Sequence, residues 1–133
     1  MFMSKITLSE LQNSFPNLIF KPGRKFLFHP PKTILFKEND TNFDSLILHE
    51  IGHALLNHHG FKIDIDRLRM EVAAWEKARE LAKQFNISLD NDFIESELDS
   101  YRDWLHQKSK CKKCGLTCYQ TDDGRYHCPF CDN

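Results

Sequence analysis

Residues 46–55 read Leu46-Ile47-Leu48-His49-Glu50-Ile51-Gly52-His53-Ala54-Leu55. On a helix, His49 and His53 stand four positions apart and lie on one face, about 40° from each other. Both imidazoles can therefore reach one Zn²⁺, and Glu50 between them has the reach to act as a general base on a water at that ion. Leu46 and Leu56 fall near the direction of His49, while Ile47, Ile51, Ala54 and Leu55 fall on the opposite side. With apolar residues on both faces, the helix is expected to be central. Two histidines and a glutamate inside a core helix need partners, because buried polar groups without them are costly. A pair of hydrogen-bonded core histidines is the plain alternative; the paired spacing with Glu50 favours a metal.

The surroundings are those of an ordinary globular chain. It has 133 residues, 41% of them apolar and 28% charged, with a net charge of −1. That balance gives no general electrostatic reason to expect nucleic acid or a membrane surface as partner. No apolar stretch approaches the length of a membrane span. The opening MFMSKITLSEL lacks the apolar core of a secretory leader, so the cytoplasm is the expected location. All five cysteines lie between Cys111 and Cys131. A secreted disulfide scaffold would spread them through the fold, whereas this clustering points to metal in a reducing compartment.

Thr7-Leu8-Ser9-Glu10 has the form of a capping box and predicts a short helix ending near Pro16. Leu18–Phe20, Lys25–His29 and Thr33–Lys37 read as strands, the last two joined by a turn at Pro30-Pro31. Asp40, Thr41 or Asn42 is expected to cap the central helix, which should run to about Asn57 and end at Gly60. A second helix is predicted from about Asp66 to Phe85, capped by Asp64 or Asp66, with an inward stripe of Leu68, Val72, Trp75, Ala78, Ala82 and Phe85. A third, from about Asp92 to His106, is amphipathic through Ile94, Leu98, Tyr101 and Leu105. Gln107–Lys110 reads as a polar linker.

A catalytic zinc usually has three protein ligands and one open position. His58 would point about 180° away from His49 if the helix continued. His59 stands where a longer histidine motif places its third ligand, but that motif turns at a glycine and this chain has Leu56 there. Without the turn, His59 lies about 15 Å along the axis from His49. Glu71 is the strongest candidate, since it falls near the middle of the second helix's apolar stripe, while Glu76 and Glu80 face the charged side. An ion pair of Glu71 with Arg24 or Arg67 is the competing expectation.

His49-Glu50-Ile51-Gly52-His53, followed by Glu71-Val72-Ala73-Ala74-Trp75 after a short sheet, resembles the gluzincin type of HExxH zinc metallopeptidase. Within that type it is most like the compact ImmA-type peptidases of phages and mobile elements, over about residues 18–86. The usual Glu-Ala-Asn wording of that family is absent around Glu71. The resemblance implies a zincin-like α+β domain in which His49, His53 and Glu71 bind zinc and Glu50 deprotonates the attacking water. It also implies a protein or peptide substrate, laid along an edge strand for which Thr33–Lys37 is the candidate. For the oxyanion, Tyr101, His58, His59 and Arg102 remain open.

Cys111-Lys112-Lys113-Cys114 and Cys128-Pro129-Phe130-Cys131 supply two CxxC knuckles separated by 13 residues. Each offers two thiolates, and together they close a tetrahedron around a structural zinc. Asp122-Asp123-Gly124 supplies the turn of a hairpin between them. The reading is a zinc ribbon over residues 107–133, following a metallopeptidase domain over residues 1–106; paired redox dithiols are the alternative. Cys118 is expected to be a bystander thiol. Basic residues slightly outnumber acidic ones in this tail, and Tyr119, Tyr126 and Phe130 could stack on bases or pack the hairpin, so nucleic acid is a possible partner. A domain of this type with a four-cysteine ribbon is also similar in architecture to the SprT-like proteases, although those use a third histidine. The expectation is an intracellular peptidase with two zincs per chain. The competing reading is a non-catalytic two-zinc module, binding protein or DNA, of a phage or mobile element.

Overall fold

A computed structural model describes residues 5–132. Residues 1–4, the start of the segment read for a leader, lie outside the described residues. The chain is α+β, in the order α1 (Leu8–Ser14), β1 (Ile19–Pro22), β2 (Leu27–His29), β3 (Thr33–Phe36), α2 (Phe43–Leu55), α3 (Asp64–Gln84), α4 (Asn91–Ser109), β4 (Tyr119–Gln120) and β5 (Tyr126–His127). Two compact units share it. One holds the described residues up to His59 together with Ala73–Asn91; the other holds Gly60–Val72 and the chain from Asp92 onward. Among the described residues no helix is long and apolar enough to cross a membrane.

The capping box forms as expected. Thr7 Oγ1 accepts the N–H of Glu10 at 3.1 Å, and Glu10 Oε1 accepts the N–H of Thr7 at 3.2 Å. Leu11 anchors α1 in the core. Just before the box, the N–H groups of Lys5 and Ile6 donate to the Asp44 carboxylate in the first turn of α2. An acidic side chain there also suits the positive end of the helix dipole.

The strand order is β1-β3-β2, with β1 parallel and β2 antiparallel to β3. Thr33–Phe36 is thus the central strand, and it cannot be the edge along which a peptide adds. That expectation is corrected: the edges are β1 and β2. Sequence pattern finds strands but not their order, which here depends on β1 pairing past β2 to reach β3. Ile34 and Phe36 are buried and alternate with half-buried Thr33 and Leu35, the period-2 pattern of a strand covered mainly on one face.

Against the sheet lies α2, with Ile47, Leu48 and Ile51 fully buried. None of the three expected caps closes it in the usual way. Asn42 holds the cap position without a side-chain bond, and Asp40 instead accepts the N–H of Asn42 at 2.8 Å. The helix also ends earlier than Asn57 and Gly60 suggested. Asn57 takes a φ of 57°, a conformation asparagine tolerates better than most residues. Its N–H bonds the carbonyl of Ala54 at 3.1 Å, and that of His58 bonds His53 at 2.9 Å. This is a Schellman closure, and it leaves Leu55 and Leu56 exposed.

The stripe of α3 is rotated from the one predicted. Trp75, Ala78 and Ala82 are buried as expected, and so is Glu71, but Leu68, Val72 and Phe85 are only half-buried, and Ala74 and Leu81 join the buried line. Glu71 is therefore on the inward face of α3. Asp64 is the first residue of the helix, and its carboxylate receives Tyr126 Oη at 2.7 Å and Lys108 Nζ at 3.0 Å. No linker separates α4 from the tail, because the helix runs on through Ser109. In the tail, β4 and β5 form the expected antiparallel hairpin, with Gly124 at a φ of +88° in its turn.

Candidate functional site

α2 and α3 meet at a glycine. A Cβ built on Gly52 would stand 2.6 Å from the carbonyl oxygen of Ala74, so only glycine lets the two backbones approach this closely. Beside that contact, Trp75 is fully buried and stacks on the His49 ring, with centroids 4.2 Å apart and planes 7° apart. His49, His53 and Glu71 are all buried, and each brings one ligating atom within 4.8 Å of the others. The three residues form a cluster that could hold a metal ion. The sequence points to all three residues of this cluster but gives little sign of Gly52, whose only signal is a glycine inside an otherwise apolar helix.

Gly52→Ala gains about 1 kcal/mol in helix propensity. The overlap is with a backbone carbonyl, which cannot rotate away, so the cost of forcing the helices apart falls in the upper part of the overpacking range, about 2–3 kcal/mol. The net expectation is a loss of about 1–2 kcal/mol, read as a lower denaturation midpoint, together with weaker metal binding. A midpoint equal to or above that of the parent chain would show that the helices part there without cost.

Both imidazoles are oriented through Nδ1. His49 Nδ1 lies 3.1 Å from Glu50 Oε2, and His53 Nδ1 lies 2.9 Å from His58 Nδ1. Nε2 is then the nitrogen each ring can offer an ion, in the arrangement by which outer partners fix the tautomer of ligating histidines. Glu50 is itself buried, and its Oε1 accepts the N–H of Phe28 at 2.8 Å. Phe28 lies on β2, so this N–H is turned away from β3 and the carboxylate sits at the outer edge of the sheet.

Of the two neighbouring histidines, His58 departs from expectation and His59 does not. His58 does not point away, because the Schellman turn breaks the helix and folds its ring against His53. His59 is exposed, with Nδ1 on the Asn57 carbonyl at 2.9 Å, and lies outside the cluster. Arg67 lies over the rings of Phe61, Tyr101 and Trp104. Arg24 is exposed. Arg102 is exposed too, its guanidinium on Glu95 and Asp99.

Cys111, Cys114, Cys128 and Cys131 form the second cluster, again within 4.8 Å of one another. The Cys114–Cys128 and Cys111–Cys131 sulfurs are 3.5 and 3.9 Å apart. Thiolates around one tetrahedral zinc stand about 3.8 Å apart for bonds of ~2.3 Å. All five cysteines are free thiols, and Cys118 lies outside the cluster. The backbone N–H groups of Cys114 and Lys113 pull the Cys111 thiol down to about 6. Cys131 is pushed up to about 12, first by its hydrogen bond with Cys114 and then by burial. Four sulfurs this close cannot all ionise without a cation among them.

The tail is tied to its own unit through Asp64, which accepts from Tyr126 and Lys108 while its N–H donates to Gln120 Oε1 at 2.6 Å. Burial raises the Asp64 carboxyl, but the bonds from Tyr126 and Lys108 and the nearby positive charges outweigh it and hold the group below its usual range. Tyr126 is therefore a docking residue and not an open stacking face. Tyr119 and Phe130 remain exposed at 57% and 68%. No protein-family model, curated protein or solved structure matches this chain.

Proposed function

We propose that the chain is a small zinc-dependent metallopeptidase of the gluzincin kind, most like the ImmA-type enzymes, with a structural zinc in its cysteine tail. The observation that carries this reading is the convergence of His49, His53 and Glu71 with a further buried carboxylate, Glu50, beside them. Two imidazoles and a carboxylate are a donor set suited to zinc, and four thiolates suit zinc in a closed tetrahedron. A zinc ion bound by the first set supplies Lewis acidity and lowers the pKa of a water molecule. Glu50 takes the proton from the attacking water and delivers it to the leaving amine. Trp75 and the Phe28 N–H hold the His49 ring and the Glu50 carboxylate in place. The substrate is a protein or peptide in extended form, and the strand it pairs with is β2, whose outer edge carries Glu50.

The test begins with metal analysis of the purified chain. Two zincs per chain are expected, falling to one in His49→Ala and in Glu71→Ala. Zinc-dependent cleavage of a quenched-fluorescence peptide library should disappear on chelation and return with added zinc. Unchanged zinc content in Glu71→Ala would remove the third ligand from the proposal.

One observation favours a second reading, a non-catalytic two-zinc module. Both oxygens of Glu50 already have partners, Phe28 N–H and His49 Nδ1, as a purely structural carboxylate would. In that reading Lys112, Lys113, Tyr119 and Phe130, all exposed, serve a nucleic-acid or protein partner. A loaded chain that cleaves no member of the library would favour it.

A further inference from the structure

The turn that ends α2 changes both the direction and the neighbours of His58. A continued helix would carry it about 180° from His49. The left-handed Asn57 and the bond from His58 N–H to the His53 carbonyl instead reverse the chain, at 2.9 Å for that bond. The His58 ring comes to rest beside His53, with centroids 5.1 Å apart, planes at 63° and the two Nδ1 atoms 2.9 Å apart. Two neutral rings at that distance share one proton, so one Nδ1 donates and the other accepts.

We propose that His58 is a positioning residue of the metal site, accepting the Nδ1–H of His53 and so holding His53 in the tautomer that presents Nε2 to the ion. The inference rests on the His49–His53–Glu71 cluster binding a metal. Its logic is that of the other ligating ring. His49 is held through Nδ1 by the Glu50 carboxylate. His53 lies one helical turn further on; the two Glu50 oxygens are taken by Phe28 N–H and His49 Nδ1, and the group facing His53 Nδ1 is His58. The opposite sharing, with His58 donating, would put the remaining proton of His53 on Nε2 and turn a donor toward Glu71 and His49. Ligation is incompatible with that tautomer, so the value of His58 lies in excluding it. Partners of this outer kind typically contribute about 10–100-fold in metal affinity.

The full chain loaded with Co²⁺ separates the two sites. The tail reports through thiolate-to-cobalt charge transfer, and the His–Glu site through the increment of d–d absorption that His49→Ala removes. Chelator competition on that increment should show His58→Phe weakened by about 10–100-fold with the tail unchanged. His58→Asn can place Oδ1 where Nδ1 stood, and it should recover affinity to within about threefold of the parent. In long-range ¹H–¹⁵N spectra of the zinc-loaded chain, a slowly exchanging His53 Nδ1–H is expected in the parent and in His58→Asn, and not in His58→Phe. Parent-like affinity in His58→Phe, or no recovery in His58→Asn, overturns the positioning role. A parent chain with thiolate bands and no further d–d increment overturns the metal reading itself.

Discussion

Exchanging Glu50 for Gln is expected to lower peptide hydrolysis by about 10²–10⁴-fold while the fold and both metal sites persist. The side chains have nearly the same shape, so the packing around α2 is kept. What changes is proton capacity: a carboxylate can take a proton from water and return it, and an amide cannot. The contacts of Glu50 sharpen the expectation. Its two oxygens accept from Phe28 N–H and face His49 Nδ1. The glutamine side chain has one oxygen and one NH₂, so it can keep only one of these as an acceptor. If the oxygen stays on Phe28, the NH₂ faces His49 Nδ1 and favours the tautomer that ligates poorly.

A drop in zinc affinity of about 10–100-fold is therefore expected alongside the loss of rate. The assay must be run at saturating zinc, with metal content checked on the same sample. Under those conditions the two readings of Glu50 part. A structural carboxylate predicts that saturating zinc restores the parent's behaviour; a general base predicts that it does not. Cleavage at the parent rate by fully loaded Glu50→Gln would end the catalytic proposal for this residue.

What could be read from the chain beforehand divides along a physical line. Features written in short-range spacing were legible: the Thr7/Glu10 box, the four-residue step from His49 to His53, and the paired knuckles Cys111/Cys114 and Cys128/Cys131. Glu71 was legible for a related reason, since a carboxylate on the inward side of a regular helix is out of place there. Features set by how distant segments meet were not. The central place of β3 depends on β1 pairing with it past β2. The role of Gly52 depends on the Ala74 carbonyl of another helix. His58 was misplaced because Asn57 was read as helical, although asparagine is among the few residues at ease with a positive φ. The stripe of α3 was drawn through Leu68, Val72 and Phe85 because they are apolar, yet burial follows the line Glu71-Ala74-Ala78-Leu81.

Cys128→Ser is expected to remove one zinc and unfold the tail while leaving the first metal site loaded. From Lys110 to Asp132, Cys128 is the one buried apolar residue. Apolar burial therefore contributes little there, and the hairpin amounts to two residues in each strand. The tail is otherwise held by hydrogen bonds, such as those of Asp64 with Tyr126 and Gln120 and of Cys118 N–H with the Ser109 carbonyl, each contributing about 0.5–1.5 kcal/mol net, or somewhat more where charge assists. A structural zinc contributes about 10–16 kcal/mol in small zinc domains. The metal outweighs those bonds several-fold, and three thiolates with a serine do not replace four. Propagation should stop within α3. That helix runs unbroken from Asp64 to Gln84, and its later turns bury Ala74, Trp75, Ala78, Leu81 and Ala82, so Glu71 keeps a helical frame when the first turn frays. Hydrogen exchange should accordingly show protection lost over residues 110–132 and reduced near Asp64, with α2 and the Trp75 segment unchanged. Metal analysis on the same protein should read one zinc. Loss of both zincs would mean that the tail sets the position of Glu71. Full protection of the tail without its zinc would mean that the four cysteines are not what holds it folded.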